Sequence, residues 1–269
     1  MPQNEPASHH TCGIFIEASY INHSCYSNAR RTFIGDMQIV RATRNIPAGS
    51  EIFFWYAIPG PDHTYEKTQE KLKHWAFQCT CAICQQSKKT KKNVSCKRLP
   101  LLEDFEAAFG SPTGGNLPKA ERLLNAIEKT YSEPASDVPR LALWLPYLLL
   151  TQTYSSKKQQ EKVIETAWKV LTSLGFTIKR QDPLSLKSPF GIEQWGLMAD
   201  CLIEVWVHLW TAYAQVAPDL CKKAEEYAKI TYKICIGEDV TFDEKIGNRA
   251  RRVMFEGVDL REAFESVAL

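Results

Sequence analysis

The sequence predicts an α+β fold: a small β-rich part built around a zinc site, followed by an all-α domain that is a helical bundle or a tetratricopeptide-like array. Three observations predict it. Short apolar runs punctuated by turn residues fill the stretch from Thr11 to about Tyr56. Cys79, Cys81 and Cys84 crowd into a C-x-C-x-x-C run. Beyond Arg98 the apolar residues switch to a helical period.

In chain order, residues 1–11 read as a disordered leader. Arg31–Ile34 and Met37–Thr43 flank Gly35-Asp36, a pair suited to a tight hairpin turn. Ile46-Pro47-Ala48-Gly49 ends the second strand, and Glu51–Tyr56, reading EIFFWY, follows as a buried strand. Pro59-Gly60-Pro61 breaks the chain before a charged helix over Tyr65–Trp75. The cysteine run closes a first domain over 12–86, and SKKTKKNVSCKR over 87–98 reads as a basic linker to a helical domain over 99–269.

In that second domain Ala120, Leu123, Leu124 and Ile127 recur at helical spacing, and Val163, Ala167, Val170, Leu171 and Leu174 form a stripe stopped by Gly175. Trp195, Met198, Leu202, Val205, Trp206, Leu209 and Tyr213 mark a long buried helix. Leu220, Ala224, Tyr227, Ala228 and Ile234 mark the next, with Gly237 as its C-terminal cap. No clean repeat period separates an array from a plain bundle.

Composition narrows the function classes. The chain has 269 residues, 44% of them hydrophobic, with 7 Trp, 10 Tyr and 12 Phe, which is ample for two cores. A net charge of +2 does not support a nucleic-acid partner. The longest apolar run, Leu141 to Leu150, is interrupted by Pro146 and falls short of the roughly 20 residues a membrane helix needs, so no membrane is expected. MPQNEPASHHTC lacks the basic start and apolar core of a secretory signal, which points to a cytoplasmic and/or nuclear protein with reduced cysteines. The lysines of the linker suit a nuclear localisation signal, although a solvated linker is the plainer reading.

Three cysteines within six residues ask for a metal. Zinc takes four thiolate or imidazole ligands in a tetrahedron, and close pairs on a turn supply them with little strain. Spacing leaves the fourth ligand open among Cys25, Cys96, Cys12 and His74. An all-thiolate set makes a closed, structural site that contributes on the order of 10 kcal/mol to folding in small peptides.

NHSCYSN at 22–28, GSEIFFWY at 49–56 and FQCTCAIC at 77–84 stand in one order. Together they resemble the signature of SET-domain protein-lysine methyltransferases, roughly N-H-S-C-x-P-N, G-E-E-[IL]-x-x-x-Y and F-x-C-x-C-x-x-C. The resemblance is closest to SET-MYND proteins and fungal SET proteins with a helical C-terminal region. It covers about residues 12–86. Ser27 stands in place of the family proline, Ser50 in place of a glutamate, and Tyr20 in place of an arginine. The upstream strand with its G-x-G cofactor motif has no counterpart here, so the expectation is a partial SET-type β fold with a post-SET zinc site.

The resemblance implies roles at the matching positions. Asn22 and His23 hold S-adenosylmethionine beside the chain crossing, and Phe77 packs on its adenine. Tyr56 places its hydroxyl at the methyl-transfer centre, and Trp75 joins it in lining the lysine channel. Cys25 completes the zinc site of Cys79, Cys81 and Cys84. The implied partners are a protein substrate offering a lysine and a further protein bound by the helices. The competing expectation is a catalytically inactive, zinc-stabilised SET/helical interaction module. For Trp55, core packing is expected, since a regular strand points it away from Tyr56.

Overall fold

Two short pairings organise the first part of the chain. In the computed structural model, which describes residues 13–90, 92–110, 115–256, 260 and 263, the leader expected over 1–11 lies outside the described residues. One helical turn, α1 (Ile16–Ser19), leads into β1 (Asn22–His23). β2 (Ala29–Ile34) and β3 (Met37–Ala42) form the expected hairpin, closed at the pair Ile34 and Met37. Gly35 takes φ 59°, a left-handed value that glycine adopts without steric cost. β4 (Phe53–Phe54) runs parallel to β1, pairing Asn22 with Phe53 and His23 with Phe54.

The strand expected over Glu51–Tyr56 is thus cut to two residues. Its partner β1 is no longer, and the Asn28 side chain takes the Phe53 N–H at 2.8 Å in place of a ladder bond. α2 (Tyr65–Leu72) is capped by the Thr64 hydroxyl and tightens into a 3₁₀ turn over Lys73–Trp75. Residues 87–98, expected as a linker, are mostly helical: they end α3 (Ala82–Lys89) and begin α4 (Lys92–Phe109). Lysine and arginine are good helix formers, and the stretch holds no proline or glycine, so basic composition alone did not make it coil.

Among the described residues, the rest is helical with one hairpin. α5 (Leu117–Glu128), α6 (Leu141–Ser156) and α7 (Gln160–Ser173) precede β5 (Thr177–Arg180) and β6 (Phe190–Gln194). α8 (Leu202–Val216), α9 (Pro218–Ile236), a π turn over Asp243–Gly247 and α10 (Asn248–Glu256) complete it. The long helix expected from Trp195 begins only at Leu202. Trp195 follows β6, and its ring packs on Phe176 and Tyr227 from a loop, which reproduces helical apolar spacing without a helix. Helices α6 to α9 pack in succession, and Trp206, Trp210 and Tyr213 of α8 are fully buried at their centre. No helix among the described residues is long and apolar enough to cross a membrane.

The hairpin rests on the helices. The Arg41 guanidinium donates two hydrogen bonds, 3.1 and 2.6 Å, to the carbonyl of Gly237 at the end of α9. Arg30 donates to the Met198 carbonyl at 2.8 Å and pairs with Asp200. Gly237 has φ 96°, and a Cβ there would lie 2.7 Å from Thr32 Cγ2 of the hairpin. Gly237→Ala combines the left-handed penalty of ~1–2 kcal/mol with that collision. Chemical denaturation is expected to show a stability loss of about 2 kcal/mol or more; an unchanged midpoint would show that this contact is dispensable.

Candidate functional site

The turn after β1 and the loop after the 3₁₀ turn bring four sulfurs together. Cys25, Cys79, Cys81 and Cys84 place their Sγ atoms within 4.8 Å of one another. Cys25 Sγ lies 3.6 Å from Cys84 and 3.9 Å from Cys79. A disulfide needs about 2.0 Å, whereas a tetrahedron of Zn–S bonds near 2.3 Å sets sulfurs about 3.8 Å apart. The donor set and spacing therefore fit a structural zinc. Of the alternatives for the fourth ligand, His74 is exposed, and Cys12 and the Cys96 side chain lie outside the described residues.

The electrostatics point the same way. Hydrogen bonding with Cys25 drives the Cys79 thiol far down and the Cys81 thiol down to about 6. Cys25 is pushed far up by its hydrogen bonds to the other three and by burial. For Cys84 the lowering bond from Cys25 is outweighed by those with Cys79 and Cys81 and by burial, so it too is raised. Four thiols so packed cannot all ionise together; a divalent cation removes the conflict.

Two side chains outside the cysteine pattern hold this centre. The Gln69 amide accepts from the Cys79 N–H at 3.0 Å and donates to the Cys79 carbonyl at 3.2 Å, with Cys84 Sγ 3.9 Å away. The Trp55 indole N–H donates to the Cys25 carbonyl at 3.1 Å, a tie that alternation along a regular strand does not reveal. A glutamine ten residues before the first cysteine was the only available signal for the first.

His23 is buried between the sulfurs and Tyr56. Its Nδ1 accepts the Tyr56 backbone N–H at 3.0 Å, and its Nε2 lies 3.3 Å from Cys25 Sγ. A backbone N–H only donates, so Nδ1 is bare; the neutral ring then carries its proton on Nε2, directed at the sulfur. The Asn22 amide instead donates to Glu51 Oε1 at 2.6 Å and stays exposed.

Above the sulfurs stand four rings. Tyr56 lies 5.2 Å from Trp75, 5.5 Å from His23 and 6.2 Å from Phe77 between centroids, and His23 lies 6.1 Å from Phe77. Ala76 makes this possible: its left-handed φ of 54° reverses the chain so that Trp75 and Phe77 both reach Tyr56. The Tyr56 hydroxyl donates to the Ile21 carbonyl at 2.9 Å, which leaves its oxygen lone pairs as acceptors. Beside it opens a cleft of about 750 Å³ lined by Ile21, Arg31, Phe33, Phe54, Tyr56 and Trp75. Trp75 is 49% exposed there, so its face is available to a ligand.

Residues 4–57 match the model of the SET domain family. This stretch is similar to that family. The chain is also 38% identical over 250 residues to a protein of Gibberella zeae named methyltransferase, which covers 92% of this chain and 34% of that protein. That match extends beyond the SET segment into the helices. The histone-lysine N-methyltransferase set5 of Schizosaccharomyces pombe is 33% identical over 96 residues, 35% of this chain and 30% of that protein. The N-lysine methyltransferase SMYD2 of Gallus gallus is 31% identical over 97 residues, 36% and 22% respectively. The chain thus spans about a third or less of the length of these curated relatives.

Gln69→Leu removes both backbone ties and the donor facing sulfur. Outer-shell losses of this kind typically cost ~10–100-fold in metal affinity. Competition with a chromogenic chelator is expected to show that drop with helical content unchanged; equal retention in both proteins would take Gln69 out of the metal centre.

Proposed function

We propose that this chain supplies the lysine-facing and cofactor-closing side of an S-adenosylmethionine-dependent protein-lysine N-methyltransferase, held shut by one structural zinc. The observation that carries the reading is the gathering of Tyr56, Trp75, Phe77 and His23 over four converged sulfurs. The SET match over 4–57 supports it, as do relatives named for methylation of lysine, histone lysine in one case. In this reading residues 12–86 form the SET and post-SET part, and 99–269 a helical, tetratricopeptide-like domain that receives a protein partner. The protein works in the cytoplasm, the nucleus or both.

When bound, S-adenosylmethionine supplies an electrophilic methyl group on a sulfonium. Phe77, half-buried, would pack on its adenine, and exposed Asn22 with the backbone of His23 would meet its polar groups. A substrate lysine with a reference pKa near 10.4 arrives mostly protonated. The walls of Tyr56 and Trp75 attract the cation at roughly 0.5–2 kcal/mol per ring and, once water is excluded, favour the neutral amine. The lone pairs of the Tyr56 oxygen, its proton committed to Ile21, accept from the amine and orient it for in-line attack. Joining Cys25 to the other three cysteines clamps the segment carrying Trp75 and Phe77 over the Asn22-His23 segment.

A second reading, a zinc-stabilised interaction module without catalysis, is favoured by exposed apolar side chains beside the cleft, among them Ile14, Phe33 and Met37. Titration of zinc-loaded chain with S-adenosylmethionine decides between the two: saturable binding supports the enzyme, and none supports the module. Where transfer of labelled methyl to histone is measured, Tyr56→Phe is expected to lower it about a hundredfold with cofactor affinity kept. Cys81→Ser is expected to lose metal and cofactor affinity together; metal loss with cofactor binding intact would defeat the clamp.

A further inference from the structure

His23 is occupied at both ring nitrogens by protein partners. Nδ1 receives the Tyr56 backbone N–H at 3.0 Å, and Nε2 lies 3.3 Å from the Cys25 sulfur. Only 6% of the residue is exposed, so no water competes for either bond. Neither nitrogen remains to grip a cofactor. The ring instead links the sulfur cluster, through a hydrogen-bond contact at each nitrogen, to the residue whose hydroxyl faces the cleft.

We infer that His23 is a positioning residue: its ring is a strut that fixes the Tyr56 backbone to the Cys25 sulfur, so that filling the metal site and placing the Tyr56 ring are one coupled event. The inference rests on the zinc and Tyr56 assignments of the proposed function. Cys25 is one covalent turn from His23, and its sulfur moves when it enters or leaves a metal tetrahedron. Movement of the sulfur pulls Nε2, the rigid ring carries it to Nδ1, and the Tyr56 N–H follows. A second thread reinforces the first, since the Trp55 indole holds the Cys25 carbonyl at 3.1 Å. Side chains that orient metal ligands by hydrogen bonds to them typically change metal affinity ~10–100-fold when removed.

The two ends of the strut separate by substitution. His23→Asn keeps a side-chain acceptor near the Nδ1 position and removes the group that reaches sulfur. His23→Gln keeps a donor near the Nε2 position and loses the acceptor for Tyr56. In the zinc-loaded full chain, His23→Asn is expected to release zinc to a chelator about ten times faster with slow amide exchange at Tyr56 retained. His23→Gln is expected to show the reverse: near-normal zinc release and accelerated Tyr56 exchange. Variants that alter both readouts alike, or neither, overturn the strut.

Long-range nitrogen–proton correlation of the unmutated chain provides an independent check that needs no variant. It is expected to find the His23 proton on Nε2; a proton on Nδ1 refutes the geometry. Neither readout involves methyl transfer. A chain that fails to bind S-adenosylmethionine therefore defeats the proposed activity and leaves the strut standing, whereas a chain that takes up no metal overturns the strut at its sulfur end.

Discussion

The meeting of Cys25 with a cysteine triad more than fifty residues later is the contact on which the active-site reading depends. Closing a loop of that length costs conformational entropy that grows only slowly with its size, so the main question is what rewards the closure. Two-residue strands and a single hairpin provide little. Four thiols packed together without a cation provide less, since their ionisations oppose each other. A tetrahedral metal would answer both needs at once. It would bind the loop shut and let every sulfur carry thiolate character. Trp75 and Phe77 hang immediately before the triad, and His23 immediately before Cys25, so the rings over the sulfurs are placed by the same closure.

Aromatic residues serve the two parts in opposite ways. In the helical part Trp206 is fully buried, stacks on Tyr227 at 4.9 Å and meets Trp168 edge-on at 5.9 Å. Such rings contribute apolar burial and fix the crossing of helices. Beside the sulfurs, Trp75 stays half out, and Phe33 and Tyr20 are more exposed still. Rings left in water at that density are costly unless something else covers them. The helices also do mechanical work for the cleft. Arg30 and Arg41 tie the hairpin to the Met198 and Gly237 carbonyls, which holds that wall of the cleft in place.

Much of this was legible in the sequence, and the reasons are specific. The triad C-x-C-x-x-C and the order of N-H-S-C, E-I-F-F-W-Y and F-Q-C carried the site, because ligand chemistry demands residue types at short range. Gly35-Asp36 and Gly237 announced turns through a backbone freedom that few residues share. Elements set by distant partners were harder to read. β4 shrank because β1 is short and Asn28 intervened, neither of which is local information. Trp195 and Met198 kept helical spacing while sitting in a loop, with the Trp195 ring against Phe176 and Tyr227. The role of Gln69 and the tie of Trp55 to Cys25 went unseen because side-chain hydrogen bonds to the backbone leave no periodic trace. His23 was assigned to the cofactor by resemblance, and only coordinates could reveal that both its nitrogens are engaged.

The bond from Arg41 to the Gly237 carbonyl spans 196 residues. During synthesis the hairpin emerges from the ribosome long before the end of α9 exists to receive it. Its underside must wait, with Thr32, Ile34 and Ile39 bare, until almost the whole helical part has been made. Vectorial folding therefore finishes the front of the molecule last, and a nascent chain stalled short of Gly237 presents a sticky β surface suited to chaperone capture.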